Sequence, residues 1–235
     1  MATFQKVKEQ NFIELCRTKD INAILEAIRS GVNADVRDED GLNGLFFLAD
    51  TGTPEVISAL IKAGADVNLR AYDGNTALLL AENSNTAESV KVFVDAGADV
   101  NAVRYDGITI LMSASRWNTP EVVRVILKAG ANVHSKNSNG LTALLYAAIN
   151  NKNPGVIDAL IEAGAEDTRD NEGRNALMLA AQWNVPEVVD ALIDAGADVK
   201  AKDKSGMTAL DYAYNNKKLK DTLTLQRLER LSREA

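Results

Sequence analysis

Apolar residues recur along this chain in short bursts at helical spacing. Ile57, Leu60 and Ile61 form one burst, which returns as Val123, Ile126, Leu127 and again as Val189, Leu192, Ile193. Each burst runs into an Ala-Gly pair, where glycine can take the left-handed conformation that closes a helix. Start signals precede the bursts: Thr53-Pro54-Glu55, Thr119-Pro120-Glu121 and Val185-Pro186-Glu187. Proline suits the first helical position because its missing N–H would be unpaired there anyway. Glutamate in that turn favours the positive end of the helix dipole. Upstream of these helices lies a second apolar series, Leu45, Leu78, Leu111, Leu144, Leu177 and Leu210. Small Ala81, Ala114, Ala147, Ala180 and Ala213 follow three residues after the last five leucines, and small residues let neighbouring helices approach closely. Two residues before each leucine stands Asn43, Thr76, Thr109, Thr142, Asn175 or Thr208, all formers of helix N-caps. The pattern predicts pairs of short helices.

The pairs repeat. Gly41, Gly74, Gly107, Gly140, Gly173 and Gly206 are spaced by 33 residues throughout, and Asp40, Asp73, Asp106, Asn139 and Glu172 precede the first five. A second series, Gly31, Gly64, Gly97, Gly130, Gly164 and Gly196, closes the units. It gains one residue around Asn150–Asn153 and loses one in Ala165–Glu172, so the register survives. The extra residue is expected to lengthen only the turn between helices. This period, the turn followed by two helices, and the motifs DGNTALLLA and AGADVN resemble ankyrin repeats. The likeness runs from Phe12 to about Leu231, and its style resembles that of bacterial ankyrin proteins.

The resemblance implies an all-α solenoid, with helix-turn-helix units of 33 residues joined by β-turn fingers. It implies one domain over 1–235: an N-cap at about 8–37, repeats from about 38, 71, 104, 137 and 170, and a C-cap at about 203–231. Such a chain is expected to be an elongated monomer in which each unit stacks only on its neighbours, with polar outer faces on the caps. Phe12, Leu15, Ile21, Ile24 and Leu25 would fill the N-cap, and Leu219, Leu223, Leu225, Leu228 and Leu231 the C-cap. Two departures stand out. The family's T-P-L-H becomes Thr-Ala-Leu-Leu or similar, and its Gly-His between helices becomes Asn-Thr or Asn-Val before proline. Helix propensity and packing are expected to replace the hydrogen bonds lost with them.

Composition narrows the chemistry. A formal net charge of −7 argues against nucleic acid as a main partner. Met1–Gln10 is polar without an apolar core, and no apolar run approaches the ~20 residues that span a bilayer, so a cytoplasmic chain with no membrane contact is expected. Residues 215–235 carry six basic and three acidic groups, a tail read as a solvated cap face. Cys16 is the sole cysteine and is read as a buried inert thiol. His134, the sole histidine, occupies the slot held by Asn68 and Asn101 and is read as a loop hydrogen-bonding residue. No phosphate-binding, hydrolase or zinc-protease motif occurs, and the finger carboxylates are expected to be exposed. No catalytic residue, metal or cofactor is assigned.

Equivalent positions of a repeat stack form columns along its surface. Arg37, Arg70, Val103, Lys136, Arg169 and Lys202 make a cationic column, with Arg104 following where Val103 interrupts it. Asp40, Asp73, Asp106 and Glu172 make an acidic one; exposed pairing within each finger, worth ~0–1 kcal/mol per pair, is expected in preference to a basic stripe for an acidic partner. Tyr72 and Tyr105 stand on adjacent fingertips. A further column reads Thr51, Ser84, Trp117, Asn150, Trp183 and Asn216, mostly polar, so it is expected to face water or a groove; the alternative is that each indole lies flat across neighbouring helices and caps the core. By resemblance it lies on the concave, ligand-facing side. Tyrosine and tryptophan are enriched at binding hot spots. The candidate contact set is therefore Trp117, Trp183, Tyr72, Tyr105, Arg104 and Arg116, and the expected function is non-enzymatic binding of another protein through fingertips and groove. A dedicated regulatory or inhibitory subunit and a small-ligand-binding protein are the alternatives.

Overall fold

The computed structural model describes residues 2–81 and 86–234, with side chains from Gln10 onward. Among the described residues there are fourteen helices and no sheet. They fall into two compact units, Met1–Tyr105 and Asp106–Ala235. The first holds α1 (Ala2–Thr18), α2 (Ile21–Arg29), α3 (Gly44–Leu48), α4 (Pro54–Lys62), α5 (Ala77–Leu80) and α6 (Ala87–Asp95). The second holds α7 (Ile110–Trp117), α8 (Pro120–Lys128), α9 (Ala143–Asn150), α10 (Pro154–Glu162), α11 (Ala176–Trp183), α12 (Pro186–Asp194), α13 (Ala209–Ala213) and α14 (Leu223–Arg233). In each unit the helices form two rows. The inner rows are α1, α3, α5 and α7, α9, α11, α13; the outer rows are α2, α4, α6 and α8, α10, α12, α14.

Local chemistry sets the helix ends. Thr109, Thr142 and Asn175 sit in extended backbone, and their side chains accept from the N–H of Met112, Leu145 and Met178. Thr208 goes further, forming a reciprocal capping box with Asp211. Proline occupies the first turn of α4, α8, α10 and α12. Gly107 serves two purposes in its finger. Its φ is +80°, and a Cβ there would also meet the Asn137 Cα of the next finger at 3.0 Å. Ala114, Ala147 and Ala180 are fully buried where α7, α9 and α11 lie side by side. In the first unit a Cβ on Gly44 would stand 2.8 Å from the Cys16 Sγ, so α1 is seated against a bare backbone. Cys16 is buried there, and desolvation pushes its thiol up to about 12.

The extra residue near Asn151 falls where expected. Helices α9 and α10 keep the eight- and nine-residue lengths of α7 and α8, and only the turn 151–153 is longer than 118–119. At the caps, Phe12, Ile24, Leu219 and Leu228 are buried, but Leu223 is exposed and Leu210 only half-buried, so the last inner helix is less enclosed than its predecessors.

Three hydrogen-bond systems replace the expected reliance on propensity and packing. The first is a ladder of buried asparagines. Asn151 Nδ2 donates to the Ser115 and Asn118 carbonyls at 3.0 and 2.8 Å. Asn184 Nδ2 donates to the Ala148 and Asn151 carbonyls at 2.9 and 3.0 Å. Asn216 Nδ2 donates to the Ala181 and Asn184 carbonyls at 3.0 and 2.9 Å. Each rung ties the orphan carbonyls at one inner helix's end to the next repeat. Because α13 ends early, Asn216 occupies the place of Asn184, not that of Trp183, and is buried rather than surface-facing.

The second system closes the fingers. Asp38, Asn137, Asp170 and Asp203 each accept at Oδ1 from two backbone N–H groups, two and four residues on. The expectation of uniformly exposed finger carboxylates is thereby corrected: the Asp170 side chain is 1% exposed and pairs with Arg174 at 2.8 Å. Tyr212 donates to Asp203 Oδ2 at 2.6 Å, and burial, reinforced by that bond, pushes its phenol up to about 12. Asp167, where the loop is one residue short, is raised above the ordinary carboxylate range by burial, opposed by the Asn175 hydrogen bond.

The third system uses arginines of the cationic column, which reach forward along the stack. Arg169 Nη1 donates to the Gly173 and Lys202 carbonyls at 2.7 and 2.8 Å. Arg70 Nη1 donates to the Val103 carbonyl at 3.2 Å, and Arg37 pairs with neighbouring Asp35 at 3.1 Å and with Asp66 of the next repeat at 3.6 Å. These cations tie finger to finger. His134 is exposed and contributes its backbone N–H, to Asn132 Oδ1 at 3.0 Å, where Asn68 uses its side chain to bridge to Gly97 and Asp99.

Two outcomes follow. Asn184→Ala leaves buried carbonyls unpaired and is expected to cost ~2–3 kcal/mol in urea unfolding, whereas exposed Lys152→Ala should stay within about 0.5 kcal/mol. An equal effect of both would remove the ladder from the account. For Cys16 the folded value lies above the unfolded one, so the stability of the buried neutral thiol is complete below the ordinary thiol value and is lost as pH rises from there towards about 12. The native chain should resist a disulfide reagent at neutral pH and react after denaturation, and Cys16→Ala should flatten the alkaline fall in the urea midpoint.

Candidate functional site

Trp117 and Trp183 are the last residues of α7 and α11, each followed by an asparagine in extended backbone whose N–H caps the helix, at Ala114 and Ala180 respectively. At the second of these the asparagine, Asn184, turns inward to make the ladder. The residue before it lies about 100° away around the helix and turns outward. The indoles accordingly remain 55% and 53% exposed, too open for core residues and too covered for solvated ones. Arg116 fixes the first. Its guanidinium lies 4.6 Å from the Trp117 ring centroid and 5.7 Å from that of Tyr146, and its Nε donates to Asn150 Oδ1 at 3.0 Å. Lys218 Nζ donates to the Trp183 carbonyl at 2.6 Å, satisfying an orphan acceptor at the end of α11.

Between the indoles runs an open trough of about 380 Å³, lined by Ile149, Asn150, Lys152 and Lys218 as well as the two tryptophans, with Asn184 beneath. The arrangement offers two aromatic faces, an apolar strip and two ammonium groups, but no nucleophile beside a base. Among the described residues no group of three metal-ligating side chains occurs.

The other candidates lie in the first unit. Tyr72 and Tyr105 are 92% and 77% exposed and meet edge to face, with ring centroids 6.4 Å apart at 72°. The Tyr105 N–H donates to the Asp73 carbonyl at 3.2 Å, which joins the two fingertips. Arg104 is half-buried at the base of its finger. Of the column that contains the tryptophans, Thr51 is exposed and Ser84 lies outside the described residues. Lys152 and Lys218 escaped the sequence reading. Lys152 sits in the inserted turn, so no column contains it, and Lys218 belonged to a basic tail read as a solvated cap.

The family model for ankyrin repeats (three copies) matches residues 12–104, 79–168, 111–203 and 151–225, which together cover most of the chain. The chain belongs to the ankyrin-repeat family. Among solved structures, the human ASB11 ankyrin repeat domain superposes with a TM-score of 0.80 at 24% identity, over 94% of this chain and 96% of that one. At that identity the likeness is one of fold. No curated protein sequence matches this ankyrin chain. Ankyrin repeats generally serve as protein–protein interaction modules, and among the described residues no helix is long and apolar enough to cross a membrane.

The indoles' intermediate exposure fixes what their removal should do. A fully buried tryptophan costs ~3–5 kcal/mol when cut to alanine, and an exposed one about 0.5 kcal/mol. Trp117→Ala and Trp183→Ala should each cost about 1–2 kcal/mol in urea unfolding, between those limits. A loss at the buried end of that range would assign them to the core.

Proposed function

We propose that this ankyrin-repeat chain is a non-enzymatic protein-binding module whose partner sits in the trough between Trp117 and Trp183. The observation that carries the reading is the pair of half-exposed indoles at equivalent helix ends, one stacked under a guanidinium and the other preceding an asparagine that is bonded inward. Large rigid side chains that lose little entropy on binding are what interface hot spots are made of. Tyr72 and Tyr105 form a second contact at the fingertips of the other unit, and Arg116 acts by holding Trp117 in place.

The test is affinity purification from the source cells with the wild-type chain and with Trp117→Ala/Trp183→Ala as baits, followed by titration of the recovered partner. Each single tryptophan variant should weaken binding by ~2 kcal/mol, roughly thirtyfold. A partner that binds the double variant unchanged, and is lost on Tyr72→Ala/Tyr105→Ala, would move the site to the fingertips.

A further inference from the structure

The trough describes its occupant as well as its location. Lys152 and Lys218 line it, no carboxylate does, and Arg116 lies over the indole at its edge. Three cations at one place reverse the sign of a chain whose formal charge is −7. Lys218 uses one N–H on the Trp183 carbonyl, and an ammonium has three, so two remain for a ligand.

The dimensions are equally restrictive. The indoles stand two repeats apart, ~20 Å at the 8–10 Å spacing of packed helices. The trough of about 380 Å³ lies along that length and opens to solvent, so it takes one face of a chain laid into it. A helix rises ~1.5 Å per residue and would need about thirteen residues to cover the distance. Extended backbone advances ~3.3 Å per residue, so about six residues cover the distance, and residues an even number apart face the same side.

We propose that the trough takes an extended acidic peptide segment of the partner. Two apolar side chains about six residues apart lie against Trp117 and Trp183, and carboxylates between them meet Lys152 and Lys218. This deepens the protein-binding reading above and rests on it. Single-stranded nucleic acid also pairs aromatic stacking with cations, but it needs a basic groove that follows its backbone, and this chain is acidic outside the trough. Oligonucleotide binding is therefore an outcome of the test.

The chain's two tryptophans are both in the trough, so tryptophan emission, excited at wavelengths that tyrosine does not absorb, reports on this site alone. The full chain is titrated with three end-capped synthetic peptides, each with leucine at both ends and five residues between. The intervening residues are aspartate and glutamate in one, glutamine and serine in another, and lysine in the third. A thymidine oligonucleotide is the fourth ligand. The acidic peptide should saturate, bind at least about tenfold tighter than the neutral one, and weaken as salt rises from about 0.05 to about 0.5 M. Lys152→Glu/Lys218→Glu, both at exposed positions, should reverse the preference towards the lysine peptide with an unchanged circular dichroism spectrum. A neutral or basic peptide binding as tightly as the acidic one would overturn the charge assignment while leaving the trough a peptide site. Tighter saturation by the oligonucleotide would overturn the peptide assignment. No saturable change with any ligand would overturn both this proposal and the trough's role in protein binding.

Discussion

The second unit depends on one constraint: the carbonyls at the ends of its inner helices are buried and need donors. Asn151, Asn184 and Asn216 supply them from the next repeat along, each with a single side-chain amide that reaches back two ways. A buried unpaired carbonyl costs ~1–3 kcal/mol, so the repeats are held at the one spacing at which every rung closes. Small Ala114, Ala147 and Ala180 allow that spacing, but alanine has no directional bond with which to select it.

The same constraint creates the candidate site. With Asn184 committed to the interior, its predecessor Trp183 has no place in the core and stands half out of it. Trp117 stands likewise at the end of α7, under Arg116. The intervening repeat carries Asn150 at the equivalent helix end, and its shorter side chain leaves the trough open between the indoles. The inserted residue that lengthens the turn 151–153 brings Lys152 to the rim. A structural necessity and a local irregularity together give a chemically distinctive surface on an otherwise repetitive scaffold.

The repeat architecture was legible because its signals are local and recur. A threonine or asparagine N-cap, a proline at the first helical position and a left-handed glycine each act within a few residues, and six copies leave little ambiguity. The tryptophans' half-exposure could be read from the polar members of their column, although Asn216 was a false member that the shortened α13 carries inward. The ladder was not legible. An asparagine before Thr-Pro or Val-Pro looks like turn punctuation, and only the neighbouring repeat, over thirty residues away, shows which carbonyls it serves. The forward reach of Arg70 and Arg169 was hidden for the same reason, since their acceptors are backbone atoms of the next finger and carry no sequence signature. Lys218 enters the site only through the fold's closing turn.

That both indoles stand partly open to solvent at the ends of α7 and α11 is open to a direct check by acrylamide quenching of Trp117→Phe and Trp183→Phe, each of which retains one tryptophan. Each native variant should be quenched about half as efficiently as its own urea-unfolded chain, in line with exposures of 53% and 55%. Near-complete protection of either tryptophan in the native chain would contradict it.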